Sequence, residues 1–170
     1  MKRLVLTLMV IVASVAANAQ KFALVDMEYI LKNVPAYERA NEQLNQISKK
    51  WEAEVNDLLL KVETRYKKYQ SESVFLSDAQ KAKAEEEIMN LEKKASELKK
   101  KYFGNDGELY KKRQSLMSPI NDEIYNAVKD ICDQKGYQLV LDRASGGSII
   151  YASPKIDISD EVLTKLGYKY

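Results

Sequence analysis

From Ala36 to Phe103 the chain has neither glycine nor proline, and this long segment is its strongest structural constraint. Both residues end or weaken helices, so their absence favours helix over the whole segment. A first apolar stripe has the helical spacing of three and four residues; it comprises Leu44, Ile47, Trp51, Val55, Leu58, Val62, Tyr66 and Tyr69. A second stripe comprises Ile88, Leu91, Ala95, Leu98 and Tyr102. Each stripe predicts a helix with one narrow apolar face.

The sequence SESVFLSDAQ, residues 71–80, separates the two stripes. Ser77 followed by Gln80 fits a capping box, so a new helix is predicted to begin at about Ala79. Residues 73–77 then form the tip of a long antiparallel helical hairpin. One continuous helix is the alternative, but both ends of the chain carry predicted strands that have to come together. The apolar residues at the tip are Val74, Phe75 and Leu76.

Three short segments near the ends of the chain are predicted to be β-strands. They are residues 21–26, 137–142 and 148–152, which are rich in aliphatic, β-branched and aromatic side chains. Residues 144–147 contain two consecutive glycines and predict a turn that joins the last two strands as a hairpin. Because isolated strands are unstable, the two ends must meet in one small three-stranded body. The predicted fold class is therefore α+β, and mostly α.

Two short helices are predicted beside these strands. Asp26 is placed to cap a helix over residues 27–33, which ends before Pro35. Ser159 is placed to cap a C-terminal helix that closes at Gly167.

The predicted domains are a body, residues 20–35 and 115–170, and a hairpin arm, residues 36–114. Helix over residues 36–73 would be about 57 Å long at 1.5 Å per residue. Within the returning helix, Gly104-Asn105-Asp106-Gly107 predicts a weak point. Such an arm exposes most of its surface, and the body has too few strands to close a sheet. Self-association that pools the strands is therefore predicted.

Residues 1–19, MKRLVLTLMVIVASVAANA, are typical of a secretory signal peptide cleaved between Ala19 and Gln20. A membrane span is the alternative, but the apolar run is short for about 30 Å of hydrocarbon. The mature chain is thus expected to be exported without a stable membrane anchor. Without Lys2 and Arg3, the balance of 27 basic and 25 acidic residues becomes 25 and 25. A neutral exported chain argues against nucleic-acid binding.

The sequence lacks the residues that most enzymes and metal sites require. It contains no histidine, which is the commonest general base and zinc ligand. Its single cysteine, Cys132, follows Val128 and Ile131 on an apolar helical face and is predicted to pack there. No phosphate-binding loop, paired-carboxylate site or metal-ligand spacing is present. We therefore expect neither an enzyme nor a cofactor.

Three segments of the sequence resemble one known family. They are FALVDMEYILKNVPAY near the start, YFGNDGELYKKRQSLMSPINDEIYNAVKDICDQKGYQLVLDRA in the second half, and IIYASPKIDISDEVLTKLG near the end. In their order and spacing around the helical hairpin they are similar to the Skp/OmpH periplasmic chaperones. The resemblance implies a homotrimer with a shared β-barrel and three helical arms, located in the periplasm. It also implies an ATP-independent holdase for unfolded outer-membrane proteins, with the outer-membrane assembly machinery as a further partner.

Aromatic side chains along the arm are the candidate contacts with an unfolded client, because they suit adaptable binding. Those on the predicted stripes are expected mainly to seal the hairpin; they are Tyr66, Tyr69 and Tyr102. Those expected to contact client are Phe75, Phe103 and Tyr110. Long-range attraction is expected from Lys67, Lys68, Lys99, Lys100 and Lys101, within a segment of modest positive charge. The alternative function is that of a periplasmic coiled-coil adaptor or tether.

Overall fold

The computed structural model describes residues 21–145 and 149–168 of the chain. The predicted signal peptide, its cleavage site at Ala19 and Gln20, and the two glycines of the predicted hairpin turn lie outside these residues. The described part is mostly helical with one small sheet, in agreement with the predicted α+β class. Its elements are β1 (Lys21–Val25), α1 (Met27–Lys32), α2 (Pro35–Glu72), a 3₁₀ turn (Ser73–Phe75), α3 (Asp78–Phe103), α4 (Glu108–Lys135), β2 (Tyr137–Asp142), a second 3₁₀ turn (Pro154–Ile156) and α5 (Ser159–Lys165).

The chain divides into two compact units. The sheet unit consists of residues 21–34 together with the described residues after 122. The hairpin unit consists of residues 35–122, so α4 contributes residues to both.

The sheet unit joins the two ends of the chain through a parallel pair of strands. β1 pairs with β2 in a register that places Phe22 opposite Leu139 and Val25 opposite Asp142. Ala23, Leu24 and Val25 are buried. The prediction that sequence-distant strands meet is therefore confirmed.

The prediction of a third strand over residues 148–152 is wrong for residues 149–152, the part that the structure describes. Residues 149–152 form no strand, and Ile150 and Tyr151 are exposed. The second partner of β1 is instead a later segment, because Leu24 forms an isolated parallel bridge with Asp157. The chain after β2 thus contributes to the sheet through Asp157 and not through residues 149–152.

A cluster of polar groups joins the ends of β1 and β2 to the start of α1. Asp26 Oδ1 accepts a hydrogen bond from the Tyr29 backbone N–H at 2.8 Å, which is the predicted cap of α1. Asp26 Oδ2 accepts from Arg143 Nε at 3.1 Å. The Arg143 guanidinium also pairs with Asp157 at 3.3 Å. These contacts, chiefly the backbone hydrogen bond from Tyr29, hold the pKa of Asp26 below its usual value, although partial burial opposes the shift.

Ser159 does not cap α5 as predicted, because it is the first residue of that helix and Ile158 is the cap. Its buried hydroxyl accepts from the Asp26 backbone N–H at 2.8 Å and donates to Asp157 Oδ1 at 2.6 Å. The Ile158 N–H donates to Leu24 O at 2.9 Å, which fixes the start of α5 against β1. The predicted stop at Gly167 is confirmed, since this glycine has a φ of 85°.

The apolar core of the sheet unit is formed by one face of each of its helices. The side chains with the least exposure include Ile30 and Val34 at α1, Ile124 of α4, and Val162 and Leu163 of α5. Burial of apolar surface in this core stabilises the unit by roughly 25 cal/mol per Å².

The hairpin unit contains the antiparallel helices that the two stripes predict. The Gln80 side chain accepts from the Ser77 backbone N–H at 2.9 Å, and α3 starts within one residue of the predicted position. α2 and α3 run antiparallel, because residues later in α2 contact residues earlier in α3. The linked pairs are Glu54 with Tyr102, Arg65 with Glu87, and Tyr69 with Glu85. The seam between the helices is narrow. Its buried residues are Val55, Ile88 and Ala95.

The predicted weak point at residues 104–107 is a tight turn between α3 and α4. The Gly107 N–H donates to Gly104 O at 2.9 Å, and Gly107 is buried. A Cβ at Gly107 would lie 2.7 Å from Tyr102 O, closer than real Cβ contacts allow. The turn therefore requires glycine for lack of space.

We predict that Asp26 stabilises α1 mainly through its ionised form. The Asp26→Ala variant should destabilise the sheet unit by about 1 kcal/mol, as expected for a lost helix cap. Because the pKa of Asp26 is lowered on folding, its charge-dependent contribution is present above the usual value of 3.8 and is lost as pH falls through the lower folded value. The Asp26→Asn variant should therefore show faster amide exchange than wild type over residues 27–34 at pH 7, and the difference should shrink near pH 3. Exchange times are scaled to the intrinsic rate at each pH.

Asp133→Asn is the matched control, because Asp133 is exposed in the same unit and makes no contact with Asp26. Equal protection of Asp26→Asn and wild type at pH 7, or a difference that is unchanged at pH 3, would contradict the prediction.

Candidate functional site

Tyr102 links α2 and α3 through two contacts. Its ring stacks on Trp51 with centroids 4.6 Å apart and an interplanar angle of 5°. Its hydroxyl donates to Glu54 Oε2 at 2.6 Å, and this hydrogen bond is the main reason that the pKa of Tyr102 is raised. The side chain is half-buried, so the prediction that Tyr102 seals the hairpin is confirmed.

Tyr69 links the same two helices nearer the tip. Its hydroxyl donates to Glu85, and the pKa of Tyr69 is raised chiefly by this bond. Tyr69 is half-buried, as predicted for a seam residue.

Tyr66 is not a seam residue, so its predicted packing is wrong. Its side chain is 55% exposed, although Val62 and Tyr69 on either side of it in the stripe are half-buried. The predicted stripe is wider than the surface over which the two helices touch. The ring of Tyr66 lies outside this contact surface. Tyr66 is therefore available to a ligand.

The three residues predicted to contact a client differ in their surroundings. Phe75 is 86% exposed in the 3₁₀ turn at the tip, beside the equally exposed Val74. Tyr110 is 45% exposed on α4. Phe103 is half-buried and packs edge-on against Tyr102, with centroids 6.3 Å apart. Phe75 and Tyr110 thus expose their rings to solvent, whereas the ring of Phe103 partly packs within the hairpin.

Exposed aliphatic side chains on the hairpin were missed by the sequence reasoning. Leu59, Leu60 and Met89 are all exposed, the last by 64%. A signal was present, because in the run Leu58-Leu59-Leu60 the three side chains point 100° apart and only one can enter a narrow seam. Leu58 is the half-buried member.

Leu59, Tyr66 and Met89 lie on one flank of the hairpin. Leu59 and Tyr66 are seven residues apart, which is two helical turns and the same face of α2. The link between Tyr69 and Glu85 sets the level of the two helices. Met89, one turn beyond Glu85, therefore lies at about the level of Tyr66. We call these three residues the apolar flank.

The predicted basic residues are not equally free to attract a distant partner. Lys67 pairs with Glu63, whose pKa is lowered by that contact, and the Lys101 ammonium lies 5.7 Å from the Tyr102 ring centroid. No ion pair within the described residues involves the other three, Lys68, Lys99 and Lys100. Exposed pairs of this kind contribute little to stability.

The described residues lack the features of two other kinds of site. Residues 21–145 and 149–168 contain no cluster of three or more side chains suited to hold a metal ion. No helix among them combines the length and the apolar character needed to cross a membrane. Cys132 is half-buried, and its burial, with the nearby Asp133 charge, raises the pKa of the thiol. The neutral thiol that results agrees with the predicted packing role.

Comparison with known proteins identifies similar chains over nearly the whole length. A family model described as outer membrane protein (OmpH-like) matches residues 21–166. The chaperone protein Skp of Yersinia enterocolitica is 25% identical over 154 residues, which are 91% of this chain and 90% of that protein. A crystal structure from Caulobacter crescentus CB15, of a protein assigned as an OmpH-like outer membrane chaperone, has a TM-score of 0.69. It is 12% identical and the match covers 89% of this chain and 86% of that one, so it demonstrates a shared fold.

We predict that the hydroxyl of Tyr102 stabilises the hairpin unit. The Tyr102→Phe variant keeps the ring on Trp51 but loses the bond to Glu54, so its urea midpoint should fall below that of wild type. Tyr102→Leu should fall further, because the ring stack is lost as well. Trp51 is the only tryptophan of the chain, so its fluorescence reports directly on this contact.

Tyr110→Phe is the control, because the Tyr110 hydroxyl accepts a hydrogen bond from Gln114 of the same helix and so does not link two helices through that bond. Midpoints that coincide for wild type, Tyr102→Phe and Tyr110→Phe would show that the link to Glu54 is not stabilising.

Proposed function

Because the chain belongs to the OmpH-like family of outer membrane proteins, we propose that it is a periplasmic chaperone for unfolded outer-membrane proteins. It would bind these β-barrel proteins before membrane insertion and prevent their aggregation without ATP. The family membership and the similarity to Skp of Yersinia enterocolitica support the chaperone role. The predicted signal peptide supports the location.

The observation that carries this proposal is the exposed apolar surface of the hairpin unit. The apolar flank and the tip residues Val74 and Phe75 place large apolar side chains in solvent. Exposed apolar patches mark interaction sites when folding does not require them. Scattered apolar contacts of this kind suit a client that has no fixed shape, because many weak contacts give avidity without imposing a structure. The client-contact residues within this surface are Phe75, Tyr110, Tyr66, Leu59 and Met89, with a smaller contribution from Phe103.

Self-association is the second part of the proposal. The sheet unit of one chain exposes Phe22 and Leu139, which are opposite each other in the strand register, together with Leu141, Ile150 and Tyr151. Isolated pairs of strands are generally not stable in water, so a two-stranded sheet that exposes these side chains needs further partners. A homotrimer that pools the strands in a shared β-barrel would cover them, with three hairpin arms surrounding the client. The client would leave when membrane insertion becomes more favourable, and the outer-membrane assembly machinery would receive it.

We predict that the apolar side chains of the arm carry holdase activity. An unfolded outer-membrane β-barrel protein is diluted from urea into buffer with residues 20–170 of the chain, and light scattering records aggregation. The triple variant Leu59→Ser, Tyr66→Ser, Met89→Ser and the double variant Val74→Ser, Phe75→Ser should each suppress aggregation several-fold less than wild type. The variant Phe75→Ser, Phe103→Ser, Tyr110→Ser should do the same while remaining oligomeric.

The matched control replaces three exposed polar residues of the same helices, Asn56→Ser, Gln70→Ser and Asn90→Ser. Wild-type activity in all three apolar variants would remove these side chains as contacts. A wild-type chain that leaves aggregation unchanged would overturn the chaperone proposal and favour an adaptor that docks a folded partner.

We predict that Leu139 lies in the interface between copies. Native mass spectrometry of residues 20–170 should detect a trimer for wild type and chiefly monomer for Leu139→Asp, because the charge would be buried on association. Gln138→Asp is the control, since Gln138 is the adjacent exposed residue of β2 and points to the other face. A trimer that survives Leu139→Asp would place the interface elsewhere.

A further inference from the structure

A groove in the hairpin unit combines an apolar wall with a basic rim. It lies between α2 and the first turns of α4 and has a volume of 520 Å³. Ile47 and Trp51 form the apolar wall, and Lys50, Lys111 and Lys112 surround it with Glu108. We call this site the Trp51 groove. It is separate from the apolar flank and from the tip.

The charges of the Trp51 groove are not balanced within the chain. Glu108 pairs with Lys111 at 3.4 Å, which neutralises one ammonium group. Lys50 and Lys112 form no ion pair within the described residues, and Lys112 is half-buried. Two uncompensated ammonium groups beside an indole therefore face the groove.

We propose that the Trp51 groove binds a short segment of unfolded polypeptide in which an aromatic or aliphatic side chain is next to a carboxylate. The apolar side chain would pack against Ile47 and Trp51. The carboxylate would pair with Lys50 and Lys112 and supply the negative charge that these lysines lack as a partner in the described part of the chain. This inference rests on the proposed function and names the kind of client segment that one site would select.

The composition of the groove favours a peptide over a lipid. Only two residues, Ile47 and Trp51, supply its apolar wall, which is enough to cover one side chain. A membrane lipid would require a continuous apolar channel for its acyl chains. Lysine is also a point charge on a flexible stem, so the pair can adapt to carboxylates at different positions along a peptide.

The test uses the single tryptophan as a built-in probe. Three acetylated peptides, GSFEFSG, GSFKFSG and GSSESSG, are titrated into residues 20–170, and Trp51 emission is recorded. Fluorescein-labelled versions give affinity by anisotropy. GSFEFSG should bind about fivefold or more tightly than either control peptide and shift Trp51 emission to shorter wavelength. Raising salt from about 0.05 M to about 0.5 M should weaken its binding.

The double variant Lys50→Gln, Lys112→Gln should bind GSFEFSG about fivefold more weakly than wild type. The double variant Lys93→Gln, Lys94→Gln is the matched control, because it removes the same charge from exposed positions of α3. Neither lysine forms an ion pair with another described residue, and the variant should bind as wild type does. Circular dichroism establishes that both variants are folded.

Equal binding of GSFEFSG and GSFKFSG, or unchanged binding by Lys50→Gln, Lys112→Gln, would overturn the assignment. A response of Trp51 to phosphatidylglycerol vesicles but not to GSFEFSG would also overturn it, in favour of a lipid site. Wild-type suppression of client aggregation in the same preparation separates these results from a failure of the proposed function. If wild type suppresses aggregation but the groove does not respond, only the groove assignment fails.

Discussion

The parallel pairing of β1 with β2 is the constraint on which the rest of the structure depends. These strands lie near opposite ends of the chain, yet their backbones exchange hydrogen bonds in register from Phe22 to Val25. Everything between them must therefore leave the sheet and return to it. The helices α2, α3 and α4 satisfy this condition: the chain reverses direction at residues 73–77 and passes a second, tight turn at residues 104–107.

The narrow seam of the hairpin leaves much of its apolar surface outside the fold. Two helices can bury only one stripe each, and the small residue Ala95 is among those buried in it. Tyr69 and Tyr102 strengthen the seam by hydrogen bonding to glutamates of the opposite helix. Leu59, Tyr66, Met89 and Phe75 cannot enter it. The same geometry that makes the arm long and thin thus produces a surface suited to weak, distributed binding.

Local chemistry explains which predictions succeeded. Asp26 caps α1, Gln80 closes the capping box with Ser77, Gly167 ends α5, and the glycines at 104 and 107 form a turn, all as their nearest neighbours in sequence indicate. Longer-range competition explains the failures. Ser159 was predicted as a cap, but its hydroxyl hydrogen-bonds to Asp26 and Asp157. The backbone of Ile158, the actual cap, donates a hydrogen bond to Leu24. Residues 149–152 have the composition of a strand, but it is Asp157, later in the chain, that forms the bridge to β1.

The sequence by itself determined the helical periodicity, the turn at the tip of the arm, the caps of α1 and α3 and the meeting of the two ends, because each depends on contacts within a few residues or on a strand's need for a partner. The tertiary structure alone decided which apolar residues are buried. Tyr66 belongs to the stripe by spacing but is left exposed by the width of the seam. Ile47 and Trp51 meet Lys112 only because α4 returns beside α2. Periodicity specifies a face of a helix, whereas burial depends on the shape of what packs against that face.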